Sequence, residues 1–102
     1  MTKLPKSYTD FQEAYPEVFR AYEQLGTAVH AAGPLDAKTR GLIKLAMAIA
    51  GRHEGAVHAH VRRLREAGVS AEEMRQVVLL AIPTIGFPAA MAAMSWVEDL
   101  LE

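Results

Sequence analysis

The sequence predicts an all-α domain, and three observations predict it. Apolar residues recur three and four apart through most of the chain, helix starts and stops are marked by caps, proline and glycine, and no stretch shows the two-residue alternation of a strand. At 102 residues the chain is expected to form one domain over 1–102, with residues 1–6 as a loose arm.

Ser7-Tyr8-Thr9-Asp10 sets a serine three residues ahead of an acid, the signature of a helix start, and this first helix is expected to end at Tyr15. Pro16 suits the first position of a second helix, where its missing N–H costs nothing. Val18, Phe19, Tyr22, Leu25 and Val29 then recur at helical spacing until Gly33-Pro34 stops them. Asp36 caps a third helix in which Leu42, Ile43, Leu45, Ala46, Met47, Ile49 and Ala50 are apolar almost all round, as in a buried central helix. Gly51 allows a tight turn, and Arg52–Ala67 reads as a fourth helix closed by Gly68 in a left-handed cap. Ser70-Ala71-Glu72-Glu73 is a capping box opening a fifth helix through Met74, Val77, Val78, Leu80 and Ala81, which Pro83 ends or kinks. Gly86-Phe87-Pro88 reads as a turn before a last helix, Ala89–Glu102, whose alanines permit close helix approach.

A net charge of −1 supplies no field for nucleic acid or an anionic membrane, so neither is expected as a partner. Lys44 and Pro83 break the longest apolar runs well short of a bilayer span, and residues 1–6 lack the apolar core of a signal peptide. A soluble cytoplasmic protein is expected. The absence of cysteine removes disulfides, thiolate metal sites and thiol nucleophiles together. No glycine-rich phosphate loop or Gly-x-Ser-x-Gly motif is present, which sets aside nucleotide-binding and serine-hydrolase readings. With 51% apolar residues, some apolar surface is expected to be covered by other copies of the chain.

Three of the four histidines, His53, His58 and His60, fall in eight residues. At 100° per residue Glu54 and His58 share one helix face, while His58 and His60 point roughly oppositely. His53 and His60 lie two turns apart, about 10 Å of rise, too far to hold one ion. No resident metal is expected; one would have to use Glu54 and His58 with ligands from other helices or a second subunit. Each histidine has the intrinsic pKa of a general acid or base near neutrality. Glu54 and His58 read equally as a helix-stabilising pair, and His60, among Ala56, Val61 and Leu64, as a satisfied core histidine. Arg62, Arg63 and Arg65 lie in the last turns of their helix, where cations complement the dipole, and read as a solvated basic face. His30 sits at a helix C-terminal end in the same way.

Leu35-Asp36-Ala37-Lys38-Thr39-Arg40, the run His60-Val61-Arg62-Arg63-Leu64-Arg65-Glu66-Ala67-Gly68 with Val69-Ser70-Ala71-Glu72-Glu73 after it, and Ile85-Gly86-Phe87-Pro88-Ala89-Ala90, in this order and spacing, resemble the carboxymuconolactone decarboxylase family over roughly Tyr15 to Leu101. The resemblance implies a compact alkylhydroperoxidase D-like bundle of about five to six helices. It also implies a homo-oligomer, often a trimer or hexamer, with the histidine helix near a subunit-lined pocket. The peroxidases of this superfamily use Cys-x-x-Cys, a histidine four residues on and a glutamate on the preceding helix. Here His53 and Ala56 stand at the cysteine positions and Gly41 at the glutamate, so only His60 is retained and a thiol peroxidase is excluded. The decarboxylase branch needs no thiols. What it implies is a cofactor-independent carboxy-lyase or proton-transfer enzyme on a small lactone or organic acid, with His60, Glu54 and His58 as catalytic candidates and Arg52 and His53 as substrate-binding candidates. Two other readings stand beside it: a non-catalytic ligand-binding or structural oligomer, and a histidine-based metal-binding oligomer.

Overall fold

The computed structural model describes residues 4–101; residues 1–3 of the expected arm and Glu102 lie outside them. Among the described residues there are six helices and no strand: α1 (Lys6–Ala14), α2 (Pro16–Ala31), α3 (Ala37–Ala50), α4 (Glu54–Glu66), α5 (Ala71–Ile85) and α6 (Phe87–Glu98). None is long and apolar enough to cross a membrane. Contacts divide the chain into two units, Met1–Leu35 and Asp36–Glu102.

In the first unit Tyr8 and Phe19 meet edge to face at 5.6 Å, joining α1 to α2. Ser7 does not cap α1. The Pro5 carbonyl already accepts from the amides of Tyr8 and Thr9, so the chain has turned into helix before Ser7 is reached. Pro16 opens α2 as expected. The apolar row of α2, Val18, Tyr22, Leu25 and Val29, is exposed, and no α2 residue is buried.

In the second unit the main helix contacts run α3 to α4, α4 to α6, α6 to α5 and α5 back to α3, closing a ring of four. Its interior takes Leu45, Ala48 and Ile49 from α3, Val57, Val61 and Leu64 from α4, Met74 and Val78 from α5, and Ala90, Ala93 and Val97 from α6. No described polar or charged residue is buried there, so the core needs no internal hydrogen bonds to offset desolvation. The expected caps form: Asp36 accepts from the Thr39 amide at 2.8 Å, and Ser70 and Glu73 make both bonds of a capping box. Gly41 lets Leu64 of α4 pack directly against α3, because a Cβ there would stand 2.5 Å from Leu64 Cδ2.

Expected boundaries move at the start of α4 and at both ends of α6, and Pro83 does not end α5. Helix α5 runs through Pro83 to Ile85, because a proline so near the end removes only one amide bond and disturbs only the last turn. Gly86, at φ +98°, then turns the chain so sharply that α6 begins at Phe87 rather than Ala89, with Pro88 in its first turn, and ends at Glu98. Helix α4 begins at Glu54, not Arg52. The reason lies in how α3 ends. The amides of Arg52 and His53 return to the carbonyls of Ile49 and Ala48 at 3.0 and 3.1 Å, a Schellman closure that takes both residues out of the helix.

The same closure ends α4, with Gly68 and Val69 bonding back to Arg65 and Leu64, and there glycine takes the left-handed position at φ +86°. After α3 that position is held by Arg52 at φ +59°, where a Cβ is disfavoured by roughly 1–2 kcal/mol. Arg52 is exposed, so little packing is lost with its side chain. Arg52→Gly is therefore expected to raise stability by about 1 kcal/mol in urea unfolding, part of the relief being offset by the greater freedom of glycine in the unfolded chain. A stability equal to or below that of the parent would show that the turn carries no such strain.

Candidate functional site

The apolar row of α4 sets where its histidines go. Val57, Val61 and Leu64 lie four and three residues apart and are buried, which fixes the rotation of the helix against its neighbours α3 and α6. His58 and His60 are about 200° apart on that cylinder and are sent to opposite flanks.

On the α6 flank, His58 Nε2 lies 3.0 Å from Asp99 Oδ2. Glu54, one turn before His58, joins them, and one donor atom from each of the three falls within 4.8 Å of the others. Asp99 follows directly on α6 and is held from both sides. Glu98 takes two hydrogen bonds from Arg75 of α5, at 2.6 and 2.9 Å, and the Arg65 guanidinium donates to the Leu100 carbonyl. The Arg75 hydrogen bonds also hold the Glu98 carboxyl below its usual range.

On the α3 flank, His60 is half-buried with Lys44 of α3 and Arg63 of its own helix among its charged neighbours. Burial first, then the two cations, pushes its pKa down to about 4. The imidazole is therefore neutral at neutral pH, able to donate from one ring nitrogen and accept at the other.

Arg52 and His53 sit in the exposed turn ahead of α4. The His53 ring folds back over Gly51, where a Cβ would come within 2.8 Å of it. The structure thus brings Glu54 and His58 together, directs His60 to a different flank and leaves Arg52 and His53 in the turn. Two residues at these places escape the sequence. Asp99 is separated from His58 by most of the second unit, and nothing in its neighbours marks it. Lys44 did carry a signal, being the one charge within the apolar run from Leu42 to Ala50.

A cavity of about 650 Å³ lies between α3 and α5, lined chiefly by Leu42, Ile43, Met47, Val77, Leu80 and Ile85. None of the histidines lines it. At its rim Glu73 pairs with Lys38, and that contact, with the Ser70 capping bonds, holds the Glu73 carboxyl down to about 2.

Comparison with known proteins gives a match to the model of the carboxymuconolactone decarboxylase family over residues 16–99. Among curated proteins, an uncharacterized protein of Haemophilus influenzae is 42% identical over 57 residues, 56% of this chain and 50% of its own length. The chain thus matches about half of that relative. An uncharacterized protein of Methanocaldococcus jannaschii is 29% identical over 90 residues, 87% of this chain and 86% of its own length.

The two low pKa values define separate acid limbs. A histidine whose folded pKa lies below its ordinary 6.5 favours the folded state fully above 6.5, and that contribution is lost as pH falls through about 4. Glu73 contributes fully above 4.5 and loses its share only as pH falls through about 2. Between pH 6.5 and 5 the urea midpoint of the parent is expected to fall, and in His60→Gln most of that fall should vanish while the limb below pH 4.5 remains. An unaltered slope in the variant would mean that His60 is as readily protonated in the folded chain as in the unfolded one.

Proposed function

The chain belongs to the carboxymuconolactone decarboxylase family, and on that premise we propose that it is a cofactor-independent enzyme that decarboxylates, or moves a proton on, a small lactone or organic acid at His60. The observation that carries this reading is the setting of His60, a neutral, half-buried imidazole among cations. Lys44 and Arg63 attract a carboxylate, and the carboxylate in turn offsets the charge that keeps His60 unprotonated. Substrate binding thereby raises the basicity of His60 and lets it take up a proton from water. When the carbon–carbon bond to the carboxylate breaks, CO2 leaves, its bonding pair stays on the substrate carbon framework, and His60 returns the proton there. Loss of CO2 removes the anion, the cations again disfavour a charged imidazole, and the site resets. Glu54 and His58, paired with Asp99 on the other flank, are assigned no proton transfer in this scheme.

The same reading makes the protein a homo-oligomer, a trimer or hexamer in keeping with its family, whose subunits cover apolar surface that a single chain leaves open. What supports it is the groove between α3 and α5, with Met47 and Leu80 more than half exposed at its walls.

With 4-carboxymuconolactone as substrate and CO2 release as the readout, His60→Gln is expected to lower kcat by about 10²-fold or more, the usual share of a general acid–base group. Lys44→Met should act chiefly on KM, raising it by roughly tenfold for one lost charged contact. Equal turnover by parent and His60→Gln would remove His60 from the chemistry; no turnover by the parent would exclude this lactone as substrate.

In light scattering after size exclusion, a Met47→Glu, Leu80→Glu double variant should run as a smaller species than the parent. A parent that is itself monomeric, or a variant of unchanged mass, would overturn the oligomer assignment.

A further inference from the structure

We propose that Glu54, His58 and Asp99 form a binding site for a divalent transition-metal ion of the zinc type. The sequence offers only the first two, a carboxylate and an imidazole one turn apart on α4, and two ligands do not make a site. The packing of α4 on α6 supplies the third. One donor atom from each residue lies within 4.8 Å of the other two, and His58 Nε2 is 3.0 Å from Asp99 Oδ2. Around a tetrahedral ion with ligand bonds of about 2.1 Å, donor atoms stand about 3.4 Å apart, so rotations of exposed side chains suffice to seat it.

The position of the third ligand is fixed in advance. Asp99 lies between Glu98, clamped by Arg75, and Leu100, whose carbonyl is held by Arg65 of α4, while the adjacent Val97 is fully buried. With the main chain held on both sides, only the Asp99 side chain has freedom to lose on binding. The donor set also selects the ion. Two carboxylates offset the charge of a divalent cation, and the imidazole nitrogen favours zinc, nickel or cobalt over magnesium or calcium, which prefer oxygen. Asp99 is half-exposed and His58 more than a quarter exposed, so the ion has a path from solvent and its remaining position goes to water. Bound there, it would tie the end of α6 to the start of α4.

The test uses tag-free protein stripped with chelator and titrated with ZnCl2 by calorimetry, with thermal melting alongside. One ion per chain is expected, with a dissociation constant on the order of 10 μM or below and a melting rise of a few degrees at excess zinc. Asp99→Asn, which keeps the shape of the side chain, and His58→Ala should each weaken binding at least tenfold, while His30→Gln should leave it unchanged. Cobalt titration should show an absorption band that is lost with His58→Ala. Three results would each overturn the site: no zinc bound at millimolar concentration, affinity as high as the parent's in the Asp99→Asn or His58→Ala variant, or displacement of zinc by an equal concentration of magnesium.

Discussion

The rotation of α4 is the constraint on which the rest depends. Val57, Val61 and Leu64 are a row that only one orientation can bury, and placing it inward is worth about 1.5–3 kcal/mol per side chain. Because that row is fixed, the polar residues between its members have no freedom of their own. His58 must leave towards α6 and His60 towards α3, whatever each of them does there. A shift of α4 by one position would expose the row and bury charges that the apolar interior has no partners for.

This explains why the fold was largely legible in the sequence and the site only in part. Helix identities, the Asp36 cap, the Ser70 box and the Gly68 closure rest on local rules, and they appear where local rules put them. The misplaced helix starts, expected at Ser7, Arg52 and Ala89, all lie where a carbonyl is satisfied from beyond the element or a single glycine dihedral redirects the chain. The divergence of His58 and His60 follows from helical periodicity alone. Asp99 does not, because its approach to His58 depends on which face of α6 the alanines Ala90 and Ala93 present to the core, and an alanine-rich helix hardly announces that choice.

Gly41 shows how the position of a missing functional residue can be taken over by packing. The peroxidase pattern places a glutamate there, and in this chain Leu64 comes so close that a Cβ at this position would oblige its side chain to shift. With no cysteine for such a glutamate to serve, the position belongs to the α3–α4 contact. An apolar side chain over a glycine here takes the place of a polar relay. The departure from the peroxidase pattern thus shows in the α3–α4 packing as well as in the motif.

Helix α4 ends up separating two histidine environments of opposite character. His58 has carboxylates at its side, and His60 has cations. Pairs of titratable groups held in contrasting surroundings are how one fold assigns different roles to the same side chain. The two proposals follow that contrast: the substrate carboxylate is placed on the Lys44 and Arg63 side of the helix, and the metal ion on the Glu54 and Asp99 side. Neither preference disturbs the other, because the row that divides them is the one the core cannot give up.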